Sequence, residues 1–176
     1  MTRILFSALT ALLVASFALA AQPAPPEVSA RFSTPELQGA ATTRAWGLKL
    51  FDAQLWMEEA GSFSYGHPFA LSLTYGTRFS RESIARSTVS EIVRVEGGTE
   101  DTHKPLYDQL VSCIPDVHRG LRITGVAENA AQVSLYVAGR KACTLSYPNL
   151  RARFFGIWLA PSSRDARAAA RLTGRS

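Results

Sequence analysis

The chain has 176 residues, 47% of them hydrophobic and 19% charged, with a formal net charge of +5. Residues 151–176 hold Arg151, Arg153, Arg164, Arg167, Arg171 and Arg175 against Asp165 alone, so this segment carries the whole net charge and the rest of the chain is balanced. A balanced body excludes the basic, aromatic-studded surface of a nucleic-acid binder, and beyond the N-terminus no run is apolar for long enough to span a bilayer.

The first residues, MTRILFSALTALLVASFALAAQPAPP, place Arg3 before an apolar run from Ile4 to Leu19. Ala18-Leu19-Ala20 is a small-x-small cleavage site, so residues 1–20 read as a signal peptide and the processed chain as a periplasmic domain of about 150 residues. Residues 21–35 read as a Pro-rich linker ending in a short strand, VSARFS. Leu37–Met57 reads as two strands broken near Ala45–Gly47, and Phe69–Tyr75 as a third, after a turn signal at Tyr65–Pro68.

The period then changes. Ser80 caps a predicted helix to about Val95, with Ala85, Val89, Ile92 and Val93 at helical spacing, and Gly97-Gly98 ends it. A second helix starts at Thr99 with acidic groups in its first turn; Leu106, Leu110, Val111 and Ile114 form its apolar stripe. Three strands, LRITGVAE, QVSLYVAG and KACTLSY, suit an antiparallel meander, and LRARFFGIWLAP reads as a helix burying Leu150, Phe154, Ile157 and Trp158. The sum is an α+β domain over residues 36–160 with helices gathered on one face of an antiparallel sheet, then residues 161–176 as a basic tail or short helix. That tail has few large apolar residues, so solvation or contact with an anionic membrane surface are its two readings.

Cys113 and Cys143 are the only cysteines. Export to an oxidising compartment favours a disulfide over two buried free thiols, and their spacing matches no zinc-ligand or redox motif. His67, His103 and His118 are isolated from one another, His103 and His118 read as surface residues at helix ends, and there is no nucleophile elbow, phosphate-cradling loop or dinucleotide fingerprint. No metal and no cofactor is therefore expected. What remains is a polar set among apolar strands: Arg44, Asp52, Gln54, Tyr75 and Arg78, with Ser87 and Glu91 one turn apart on the following helix. Strict alternation puts Leu48, Leu50, Asp52, Gln54 and Trp56 on one face. Such a set either faces a ligand space between two covered layers or lies at a solvated sheet edge, with Arg44 or Arg78 pairing to Asp52 or Glu91 to join sheet and helix.

Four ordered blocks, LQGAATTRAWGLKLFDAQLW, FALSLTYGTRFSRESIARSTVSEI, IPDVHRGLRITGV and ARFFGIWL, resemble the bacterial chalcone isomerase-like family from about Leu37 to Leu159. The resemblance implies a large antiparallel sheet packed on a helical layer with a ligand cleft between them. It also brings the Cys113 and Cys143 blocks together. In the plant enzymes an arginine of a Gly-x-Gly-x-Arg strand takes part in cyclising chalcones, and related plastid proteins bind fatty acids with the same region. Here that pattern falls on Gly39, Ala41 and Thr43, so the arginine is absent; Arg44 replaces it only if a bulge turns it to the same face. The expected function is a non-catalytic, exported protein binding a lipophilic small molecule such as a fatty acid. The alternatives are an intramolecular lyase of chalcone isomerase type using Arg44, and a structural or partner-binding envelope protein.

Overall fold

The computed structural model describes residues 22–59 and 61–175. The expected leader, residues 1–20, lies outside them. Six strands form one antiparallel sheet in chain order: β1 Glu36–Ala45, β2 Leu48–Met57, β3 Phe69–Tyr75, β4 Arg122–Ala127, β5 Gln132–Val137 and β6 Arg140–Ser146. Between β3 and β4 the chain forms α2 (Arg81–Glu96), a 3-10 turn (Glu100–His103) and α3 (Lys104–Cys113); α4 (Leu150–Leu159) and α5 (Ala166–Thr173) follow β6. These helices gather on one face, and a short α1 (Pro26–Ser29) lies on the other.

Strand alternation explains both faces. Inward rows such as Leu55, Leu71, Gly125, Leu135 and Cys143 stand opposite one another across five strands and meet Leu106, Leu110, Leu150, Phe155 and Leu159 from the helices. Two of the outward rows are polar: Gln54, Ser72 and Thr124 are partners, as are Asp52, Thr74 and Arg122. The segment expected to be a strand, VSARFS, is instead the end of α1 and its following turn. Pro26 starts the helix, and Val28 and Phe32 bury against Trp56, Ala70 and Val126 on the outer face. Glu27 anchors it. Its carboxylate accepts from Arg122 Nε at 2.9 Å and Thr124 Oγ1 at 2.6 Å.

Ser80 caps α2 as the sequence indicates, accepting from the Ser83 amide. Of the two readings of residues 161–176, tail or short helix, the structure shows the short helix, α5. Ala168, Ala169 and Leu172 are buried, Asp165 caps the first turn, and the Arg171 and Leu172 carbonyls pass so close to Gly39 that a Cβ there would overlap them. His103 is also buried rather than on the surface, because its Nδ1 lies 3.0 Å from the Tyr147 hydroxyl under the 3-10 turn. Cys113 and Cys143 form a disulfide with Cα atoms 5.7 Å apart, tying the end of α3 to β6.

Candidate functional site

A cleft of about 310 Å³ opens between the first three strands and the helices. Leu50, Phe51, Leu73 and Tyr75 form its sheet wall; Ile84, Ile157 and Trp158 form its helical wall. A narrow apolar extension of about 40 Å³ continues toward Gly125, where the absence of a side chain leaves room for the Phe154 and Phe155 rings that close the floor. The volume sits at the low end of the range for small-molecule sites, and apolar walls with a few polar groups are the usual composition of one.

Helix periodicity supplies the polar side. Ile84, Ser87, Thr88 and Glu91 recur at i, i+3, i+4 and i+7 on α2, so one stripe of the helix passes from apolar depth to charged rim. Ser163, Arg164 and Asp165, between α4 and α5, complete the rim. Glu91 receives Arg94 Nε at 2.8 Å and also pairs with Arg164. Burial opposes ionisation of Glu91, but the two guanidinium groups outweigh it and hold the carboxyl below the usual range. Tyr75 lies deeper. Burial pushes its phenol well above the ordinary value, so it remains a neutral hydroxyl.

The structure divides the residues that the sequence grouped together. Tyr75, Ser87 and Glu91 line the cleft. Arg44, Asp52 and Gln54 stand on the opposite face of the sheet by ordinary alternation, Arg44 following Thr43 on β1 and Asp52 and Gln54 sharing a face with Trp56 on β2; the irregularity lies in β2, where Thr43 pairs with Phe51 but Arg44 with Lys49, leaving Leu50 as the extra residue. The alternation predicted for Leu48 to Trp56 is broken there, so Leu50 joins Phe51 on the cleft side and Lys49 turns outward beside Asp52. Asp52 accepts from Lys49 Nζ at 2.6 Å and Thr42 Oγ1 at 2.7 Å, and Gln54 donates to Gln22 at 2.7 Å. Partial burial raises the Asp52 pKa, yet the bonds from Lys49 and Thr42 bring it below the usual carboxylate range. Arg78 is exposed in the loop after β3, outside the cleft lining. The helix-to-sheet ion pair expected from Arg44 or Arg78 is absent among the described residues; Lys49, Arg94 and Arg164 take those carboxylates instead.

The register also locates the position of the missing arginine. Thr43 faces the cleft, as the third residue of the Gly39, Ala41, Thr43 series, whereas Arg44, the next residue along β1, points away because the extra residue lies on β2 and leaves the alternation of β1 intact. The sequence reasoning missed Arg164, which it assigned to a tail. Asp165, as a helix cap three residues before Ala168, was the local signal that chain order resumes there.

No protein-family profile matches the chain, and no curated protein matches it by sequence. The fold is a chalcone isomerase-like α+β fold. Among solved structures the chain is similar to that of a fatty-acid binding protein of Arabidopsis thaliana, with a TM-score of 0.61 and 10% identity, over 80% of this chain and 87% of that one. At that identity the likeness shows the fold alone.

Proposed function

We propose that this is an exported, non-catalytic binding protein whose cleft holds a lipophilic small molecule such as a fatty acid. The observation that carries the reading is the cleft itself: apolar walls running inward from a rim of hydroxyls and one exposed arginine, Arg164, which is free to turn from Glu91 to a ligand carboxylate. The solved neighbour, named as a fatty-acid binding protein, supports it. Export is supported by the leader-like first 20 residues and by the Cys113–Cys143 bridge, which suits an oxidising compartment. The lyase alternative needs a fixed cationic donor beside the developing anion, and the β1 residue facing the cleft is Thr43.

The test is titration of the processed protein with fatty acids of increasing chain length. Saturable binding at one molecule per chain is expected. Ser87→Trp should abolish it by filling the cleft, Arg164→Ala should weaken it about fivefold, as fits a rim-exposed charge, and Gln54→Ala on the outer face should leave it unchanged. Absence of binding at every chain length sinks the proposal, and chalcone consumption above the uncatalysed rate replaces it with the lyase reading.

A further inference from the structure

The β1–β2 hairpin ends in a residue that folding does not need. Trp46 is 99% exposed, and Leu48 beside it is 63% exposed. Trp46 and Gly47 have φ of 46° and 78°, the pattern of a two-residue turn with both central residues left-handed. Asparagine suits the first of these positions, whereas a bulky aromatic there is strained and gains no packing. Trp46 therefore pays twice for its place, in backbone strain and in exposed apolar surface.

The surroundings say what it meets. Strand register puts the β1–β2, β3–α2 and α3–β4 loops at one end of the sheet, since Phe51 pairs with Tyr75 and Thr74 with Arg122. Arg44, Arg78 and Arg119 are exposed there, and among the described residues none of their guanidinium groups has a hydrogen-bond or ion-pair partner. Acidic groups at this end already have cationic or hydroxyl partners: Asp52 has Lys49 and Thr42, with the Arg44 charge also acting on it, Asp116 and Glu82 share Arg81, and buried Glu27 has Arg122. An isolated indole and one leucine fall far short of the roughly 800 Å² per partner of a stable protein interface. An indole standing off the surface within a ring of uncommitted arginines fits a fluid anionic surface, whose headgroups move to meet the cations while the ring sits at the interface.

We propose that this end of the sheet docks on an anionic lipid surface, with Trp46 and Leu48 inserted between headgroups and Arg44, Arg78 and Arg119 above them. The site is distinct from the basic C-terminal segment, whose α5 packs on β1. It stands apart from whether the cleft is filled, yet Thr43, at the cleft, lies three residues from Trp46, about 10 Å along a strand, so docking brings the cleft mouth close to the bilayer.

Flotation of the processed protein with vesicles of phosphatidylcholine, with and without phosphatidylglycerol, tests this. Binding to the anionic vesicles alone, falling as salt rises, is expected. Trp46→Asn should reduce it about tenfold while leaving thermal stability equal or higher, since asparagine suits the turn, and Arg44→Gln and Arg78→Gln should each reduce it about fivefold. Wild-type binding by Trp46→Asn overturns the proposal, as does loss confined to Arg171→Gln and Arg175→Gln. Failure of the wild type to bind either vesicle also overturns it and turns the exposed indole toward a protein partner.

Discussion

Whether residue 43 or residue 44 looks into the cleft is settled by a single pairing step. Thr43 opposes Phe51, the next pair skips Leu50, and Arg44 is left beside Asp52 on the far face. Alternation along β1 already put Arg44 on the face opposite to Thr43 in the sequence; what was not readable is where the bulge falls, and at Leu50 on β2 it leaves Arg44's face unchanged. Glu27 shows the same limit. Nothing near it in the chain foretells Arg122 or Thr124, 95 and 97 residues away. Burial raises its pKa, but those hydrogen bonds prevail and hold the carboxyl below the ordinary value. Because the folded state favours the ionised form, its stabilisation is complete above the unfolded value of about 4.3 and is lost as pH falls through the lower folded value. Glu27→Gln should cost about 2 kcal/mol at neutral pH, leaving the Arg122 charge without its partner. Urea denaturation should show the gap between wild type and variant closing below about pH 4.

Among the elements, helices with caps and strands with clear turns were legible: Ser80 before α2, Gly97-Gly98 after it, and the break at Trp46-Gly47 all stand where the pattern puts them. Of the two short helices at either end, α1 was not, and α5 was legible only as one of two readings of residues 161–176. VSARFS has strand-like residues, yet its apolar side chains bury as a helical pair, Val28 and Phe32, against the outer face of the sheet. In ARAAARLT the small residues look solvated until β1 offers a glycine on which the helix backbone can rest. Gly39→Ala should therefore push α5 from the sheet, at about 2–3 kcal/mol. Lost amide-exchange protection confined to α5 and β1 would confirm the contact; an unchanged stability would show that the helix docks elsewhere.

At the scale of the whole molecule, one covalent link joins the helical layer to the far strand of the sheet. The Cys113–Cys143 bridge closes 30 residues that include α3's exit, β4 and β5. In the chain-entropy account such a loop contributes about 3.5 kcal/mol. Reduction, or Cys113→Ser with Cys143→Ser, should lower Tm by roughly 10 °C without changing the fold, as read by calorimetry and far-ultraviolet dichroism. The sequence by itself determined the α+β class, the chain positions of the six strands, the cap and breakers of α2, and the cysteine pair, because each rests on local periodicity, turn chemistry or counting. Tertiary structure alone decided that the extra residue of the first hairpin falls on β2 at Leu50, that Arg164 belongs to the cleft, and that Arg44, Arg78 and Arg119 share one end with Trp46. Those outcomes depend on strand register and on contacts between residues far apart in the chain, which no local pattern encodes.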